Sequence, residues 1–246
     1  MPYDDFFWLH IKKSAGLTTR SLLQPHYREV DRSRQPKSFL QAAPEEYNDI
    51  LNNYRVPLGE YQFRRCAFAK KYLYPDSWES LYSFAFIREP VDRCLSMFYS
   101  LYWENDTLKN QIKSIVEQSV KSRKLHLSTA YAFDHFLDLI RQSQDSPSIY
   151  IPRGIKFSTH TARMWEDIAD DAGQVLLTSV YRLENLAEGI NQVFEACGIE
   201  KRLDGPIQRV NKNPNRTAYR PNPGQRKKIQ LLFERDFDLY ESTGSL

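Results

Sequence analysis

The sequence predicts an α/β domain built on a parallel sheet, and three observations carry that expectation. Three times a short hydrophobic segment of strand composition runs straight into a segment that can form a helix: residues 6–9 lead to 18–23, residues 82–87 to 90–99, and residues 175–181 to 182–196. Strands that alternate with helices favour a parallel sheet, with ligands bound beyond the strand C-termini. At 246 residues and 41% hydrophobic content, the chain is long enough for one sizeable core. Residues 1–246 therefore read as a single domain.

In chain order, Phe6, Phe7, Trp8 and Leu9 form the first strand, and Thr18 or Thr19 can start the helix that follows. Residues 28–37 are polar and read as a surface loop, after which Ala43, Pro44, Glu45 and Glu46 start a helix leading to Leu51. Residues 63–74 mix aromatic and basic side chains. Arg64, Arg65, Lys70 and Lys71 either line a cleft for an anionic acceptor or form a solvated helix face with aromatics turned inward. In residues 82–87 aromatics alternate with small side chains, and Pro90 suits the first turn of a helix bearing Val91, Leu95, Phe98 and Tyr99. Helices are expected at about residues 105–122 and at 131–143, the latter with Phe133, Phe136, Leu137 and Ile140 on one face. Residues 175–181 read as a buried strand, residues 182–196 as a helix with Gly198 as its cap, and residues 209–220 as a basic loop. One long amphipathic helix then carries Ile229, Leu232, Phe233 and Phe237 and ends near Tyr240.

Composition narrows the function. The 34 basic and 31 acidic residues are too balanced for a general nucleic-acid coat. Three widely spaced cysteines indicate neither a disulfide framework nor a zinc site, so a reducing compartment and no metal are expected. With no basic leader and no apolar run approaching 18 residues, the expectation is a soluble cytoplasmic protein without a membrane segment.

Two strand-to-helix junctions look built for anions. In the first, His10 to Thr18, backbone N–H groups at a helix start lack intrahelical partners and converge with the helix dipole behind them. Gly16 permits close approach and Lys13 adds a point charge. The standard ATP or GTP loop places its lysine after the second glycine, whereas Lys13 and Ser14 precede Gly16 here. In the second junction, Arg88 stands just ahead of a helix on which Arg93 and Ser96 are three apart. Arg88 can fork onto a phosphate while the Ser96 hydroxyl donates to it.

This pairing resembles the sulfotransferases that use 3′-phosphoadenosine 5′-phosphosulfate (PAPS), of the carbohydrate-type, family 2-like group. Their first loop, often His-Ile-Pro-Lys-Thr-Gly-Gly-Thr-Ser, holds the 5′-phosphosulfate, and their Arg-x-Pro-x-x-Arg-x-x-Ser segment holds the 3′-phosphate. The resemblance extends to Asp236-Phe237-Asp238-Leu239-Tyr240 near the end of the chain. It implies a P-loop nucleotide-hydrolase-like sulfotransferase fold, three layers α/β/α around a central parallel sheet. It also implies Lys13, Ser14, Ala15, Gly16, Leu17 and Thr18 at the phosphosulfate, Arg88 and Ser96 at the 3′-phosphate, and Arg216 and Tyr219 closing over the nucleotide. The chain departs from the family pattern at Lys12 (often Pro), Ala15 (Gly) and Leu17 (Thr). Backbone donors survive those changes and one hydroxyl contact is lost.

The implied reaction moves a sulfuryl group from PAPS to a hydroxyl acceptor, a carbohydrate or small metabolite, leaving adenosine 3′,5′-bisphosphate. Lys13 would neutralise the departing phosphate. Similar enzymes draw their general base from His or Glu, which here points to His160, with Glu60 as the alternative. Arg93 reads as a structural arginine bracing its helix, His10 as buried or behind the site, and Lys12 stays open. Two other readings remain at this stage: a nucleotide kinase with an irregular P-loop, and a non-catalytic binder of anionic polymers with the same fold.

Overall fold

The computed structural model describes residues 3–26, 39–54, 56–103, 129–145, 154–205, 207 and 219–244. The expected helix at 105–122, the polar loop at 28–37, and the basic loop at 209–220 up to residue 218, Arg216 included, lie outside them. Three strands form the sheet, β1 (Asp5–Leu9), β2 (Leu81–Ile87) and β3 (Ser179–Arg182), paired in that order and all parallel. Phe6 pairs with Tyr82 and Trp8 with Phe84, while Phe86 pairs with Tyr181. β2 is central and buried along its whole length, as expected of a strand covered on both faces.

Alternation of side chains along the strands divides the packing in two. Phe6, Trp8, Phe84 and Phe86 pack with Leu23 of α1 (Gly16–Leu23) and with Ile190, Val193 and Phe194 of a later helix, Leu186–Ala196. Phe7, Leu9, Ala85 and Ile87 pack with Ile50 and Leu51 of α2 (Pro44–Asn53) and with Cys66 of α3 (Arg65–Phe68). The chain continues from α3 through a wider turn at Ala69–Leu73. A third cluster joins α4 (Pro90–Phe98) to α5 (Thr129–Gln144) through Leu95, Phe98, Phe133, Phe136 and Ile140. The remaining helices in order are α6 (Ile155–Thr161), α7 (Met164–Ile168), α8 (Leu186–Ala196, named above), α9 (Pro223–Leu232) and α10 (Glu234–Ser242). The architecture is thus mixed α/β with a small parallel sheet.

Gly189 shows how closely α8 lies on the sheet. A Cβ there would sit 2.9 Å from the rings of both Phe86 and Tyr181, and neither ring can retreat from a core packed to native density. Gly189→Ala is expected to cost about 1–3 kcal/mol through overpacking, read as a lower urea midpoint with an unchanged slope; a stability equal to that of the parent would show that α8 can shift freely.

Three local expectations are corrected. The third strand begins at Ser179 rather than 175, because Val175 bridges antiparallel to Ala169 in a small turn and is 40% exposed. Ser83 and Thr178 then exchange side-chain hydrogen bonds, the Thr178 N–H donating to Ser83 Oγ at 2.9 Å, where a backbone ladder would otherwise run. The single long C-terminal helix is two, broken at Phe233, whose ψ of 31° lies outside the helical range. The break places Phe233 in the α4–α5 cluster, and Arg163 Nε donates to the Leu232 carbonyl at 3.0 Å. Finally, α1 starts at Gly16, ahead of Thr18, and no side chain caps it. Its start is set by backbone turns, with left-handed conformations at Lys13 (φ 69°) and Ala15 (φ 55°).

Candidate active site

Because the strands are parallel, their C-terminal ends leave the sheet on one side, and each feeds the same cleft. Residues 10–18 follow β1, Arg88 follows β2 and Leu183 follows β3. A cleft of roughly 260 Å³ is lined by His10, Lys12, Lys13, Ala15, Gly16, Leu17, Thr18, Arg88, Ser96, His160 and Leu183. The fold therefore brings the two anion-binding segments to one opening, although Lys13 and Arg88 stand far apart in the chain.

The first segment supplies mainly backbone. Left-handed Ala15 followed by helical Gly16 is the kind of paired conformation whose successive N–H groups converge on an anion. The opening N–H groups of α1 add the positive end of the helix dipole. Gly16 has a second requirement that its sequence context did not reveal: a Cβ there would lie 1.7 Å from His10 Nε2. The close approach it permits is that of the imidazole, which stacks on Trp8 at 5.0 Å between centroids.

Ser14 is 2% exposed and does not line the cleft; its hydroxyl has no hydrogen-bond partner among the described residues. Lys12 Nζ donates to the Asn52 carbonyl at 2.9 Å and lies 3.4 Å from His10 Nδ1, so its amine is held toward the end of α2. Burial first, and then the charges of Lys12, Arg65 and Arg20, hold the His10 imidazole well below the usual value of 6.5. The fold thus keeps a neutral ring while the unfolded chain takes up a proton below about pH 6.5. Stability from this group is present above that pH and is lost as pH falls, at up to about 1.4 kcal/mol per unit. We expect the pH 7.5 to 5.5 decline in Tm to be shallower in His10→Phe than in the parent; parallel declines would show that His10 titrates alike in both states.

The second segment sits at the start of α4. Glu89 caps that helix, accepting from the Asp92 N–H at 2.6 Å, and Pro90 occupies its first turn. Arg88 is 7% exposed; its Nη1 lies 3.4 Å from the Lys13 carbonyl and its Nη2 lies 3.5 Å from Asp92 Oδ2. Ser96, two turns along the helix, presents its hydroxyl to the same cleft. Arg93 points the other way. It is 2% exposed, donates to the carbonyls of Lys12 and Ala162 and pairs with buried Asp236, a structural brace.

His160 reaches the cleft from α6. Its Nδ1 lies 2.7 Å from the Lys156 carbonyl, which can only accept, so in the neutral ring the proton sits on Nδ1 and Nε2 carries the lone pair. Glu60 is exposed in a separate turn and does not line the cleft. Tyr219 is not a lining residue either. Its ring packs on Phe133 at 5.5 Å and its hydroxyl donates to Gln225.

A model of the sulfotransferase family matches residues 2–241. The chain belongs to the sulfotransferase family. Comparison with curated proteins and with solved structures gave no match. Family membership makes this a sulfate-transferring enzyme, and the cleft is where the sheet directs its chemistry. No helix among the described residues is long and apolar enough to cross a membrane.

Sequence reasoning missed the groups packed beneath the loop. Arg65 meets Asp167 through both Nε and Nη2, at 3.0 and 2.6 Å, and Asn52 binds the β1 end through its amide and carbonyl oxygen. Arg65 had been grouped with Arg64, Lys70 and Lys71, yet those three turn outward, to Asp171, Glu79 and Tyr61. The partners lie 102 and about forty residues away, and no spacing in the chain announces them.

Proposed function

We propose that this protein transfers a sulfuryl group from PAPS to a hydroxyl on a carbohydrate or small metabolite, within a P-loop-like, three-layer α/β/α sulfotransferase fold. The observation that carries the reading is the convergence of two separate segments, Lys13 with residues 15–18 and the Arg88–Ser96 pair, on one cleft. A donor with phosphates at both ends of a nucleoside needs two such grips. The residues fit it: convergent N–H groups behind left-handed Ala15, cationic Lys13 and Arg88, and a hydroxyl at Ser96.

When bound, PAPS supplies an activated sulfuryl group joined to its 5′-phosphate. Lys13, with the α1 N–H groups and Thr18, neutralises charge on that phosphate as the sulfur–oxygen bond breaks. Arg88 and Ser96 anchor the 3′-phosphate. His160 Nε2 takes the acceptor's proton as the new oxygen–sulfur bond forms. Three unpaired cysteines fit a reducing, cytoplasmic setting.

Thermal stability separates this reading from its rivals. Adenosine 3′,5′-bisphosphate at 100 times its Kd is expected to stabilise the fold by about 2.7 kcal/mol, with no comparable effect of ATP·Mg²⁺. The reverse pattern would favour a kinase, and no shift with either would favour a polymer binder. Labelled sulfuryl transfer to polysaccharide, lipid and phenolic acceptors then identifies the acceptor. His160→Ala is expected to remove the acidic limb of the pH–rate profile; a limb that persists removes His160 from the role.

A further inference from the structure

Three of the four residues 10–13 after β1 have their carbonyl oxygens held by arginines, one from α3 and two from the junction of β2 with α4. Arg65 Nη2 donates to the His10 carbonyl at 2.9 Å, Arg93 Nε to the Lys12 carbonyl at 3.1 Å, and Arg88 Nη1 approaches the Lys13 carbonyl at 3.4 Å. All three arginines are buried, and two are locked by buried carboxylates, Arg65 by Asp167 at 2.6 Å and Arg93 by Asp236 at 3.5 Å. Asp236 in turn accepts from the N–H groups of Met164 and Trp165 at 3.0 and 2.9 Å. The clamp is therefore anchored to α7 through Asp167 and to α10 through Asp236.

A carbonyl held by a buried guanidinium fixes its whole peptide plane. On the planes so fixed the Ile11 N–H donates to the Leu9 carbonyl and the Ser14 N–H to the Ile11 carbonyl, so the clamp acts on the shape of the loop and not by aiming those two donors at the anion. The same loop carries left-handed backbone at Lys13 and Ala15, which have no glycine's freedom. Left-handed non-glycine residues persist only where the surroundings over-determine them. Here the surroundings include the arginines on the His10, Lys12 and Lys13 carbonyls, together with the Ser14 N–H on the Ile11 carbonyl and the Thr19 N–H on that of Ala15.

We propose that Arg65 and Arg93 are positioning residues that hold the anion loop in its binding form, and that their clamp is what allows alanine at position 15. This rests on the donor-site reading above and extends it to groups that touch no ligand. Among the described residues Arg65 hydrogen-bonds the loop at the His10 carbonyl, and its charge also acts on the His10 ring; a substitution that keeps the charge therefore reads its effect on loop geometry.

The test is calorimetric titration of adenosine 3′,5′-bisphosphate, and separately of inorganic pyrophosphate, into the parent, Ala15→Gly, Arg65→Lys and the Arg65→Lys/Ala15→Gly double variant. Lysine keeps a charge beside Asp167 but cannot serve both the carboxylate and the carbonyl. Arg65→Lys is expected to weaken both ligands about tenfold or more. Glycine at position 15 adopts the left-handed form without a Cβ penalty, so the double variant is expected to recover at least half of that loss on a logarithmic scale. Whatever Ala15→Gly alone does to affinity is subtracted, so the rescue is read as the coupling between positions 65 and 15 in the double-variant cycle.

Equal affinities in parent and Arg65→Lys would overturn the proposal, as would a loss that Ala15→Gly fails to rescue, which marks Arg65 as supporting the fold at large. Should Arg65→Lys not fold, Arg93→Lys poses the same question at the Lys12 carbonyl in the same cycle. Binding of pyrophosphate without adenosine 3′,5′-bisphosphate would reject the PAPS reading while leaving the clamp tested on pyrophosphate; binding of neither would reject both.

Discussion

Replacing Lys13 by alanine is expected to lower kcat for sulfuryl transfer by about 10²- to 10³-fold, or about 2.7–4 kcal/mol of transition-state stabilisation, the typical loss when one preorganised electrostatic donor is removed. Transfer of a loosely bonded sulfuryl group leaves the protein little covalent chemistry to do, so charge placed at the leaving phosphate dominates. Lys13 lines the cleft beside the start of α1, where its charge adds to that of the N–H groups and the helix dipole. The left-handed backbone at this position is no worse for alanine than for lysine, so Tm is expected to stay within about two degrees. Turnover within threefold of the parent would remove Lys13 from the reaction. Lys12→Ala makes the contrast, because its amine is engaged with the Asn52 carbonyl, and a loss of less than tenfold is expected there.

The largest stability effect is expected at Asp236. This carboxylate is 1% exposed, faces Arg93 at 3.5 Å and accepts from two backbone N–H groups at the start of α7. Burial opposes charge on both members of the pair, pushing the Asp236 carboxyl up and the Arg93 guanidinium down; Arg93 and the two backbone donors offset it for the carboxylate. Asp236→Ala would leave a buried guanidinium without its counter-ion and a helix start without its acceptor. The expected cost is about 3–5 kcal/mol, a fall in Tm on the order of 10 °C for a chain of this length. Chemical denaturation of the purified variant measures it directly. Asp92→Ala is the control: Arg88 is buried, but Asp92 is half exposed and lies 3.5 Å from it, so water screens the pair and a change below about 1 kcal/mol is expected. A cost at Asp236 no greater than at Asp92 would show that water reaches Arg93 in the folded protein.

Most of the candidate cleft was legible in the chain because its parts are local. A strand that ends at Leu9 and a helix that starts at Gly16 must be joined by a tight loop, and N–H groups at a helix start lack partners whatever surrounds them. The Arg88 segment was readable for the same reason, with Pro90 at the helix start and Ser96 two turns in. Arg93 could be assigned to bracing its helix, yet not to a partner, because Asp236 comes from the other end of the chain. His160 reached the cleft while Tyr219 and Glu60 did not, and nothing in their neighbouring residues separates the three. The third strand and the last helix were misjudged at their ends for a related reason. Hydrophobicity marks a strand over residues 175–181 and one apolar face along 223–240, but the exposure of Val175, the Ser83–Thr178 exchange and the burial of Phe233 set where regular structure starts and stops.

By itself, then, the sequence determined a mixed α/β fold, the order of two anion-binding segments and the family to which the chain belongs, since each is written in residues a few positions apart. Tertiary structure alone decided that both segments open on one cleft, that Lys12 is turned to Asn52, and that Arg65, Arg93 and Arg88 converge on the carbonyls of one loop. The physical reason is the low dielectric of the interior. A buried charge must find its partner wherever the fold places one, and for Arg65 that partner is 102 residues away.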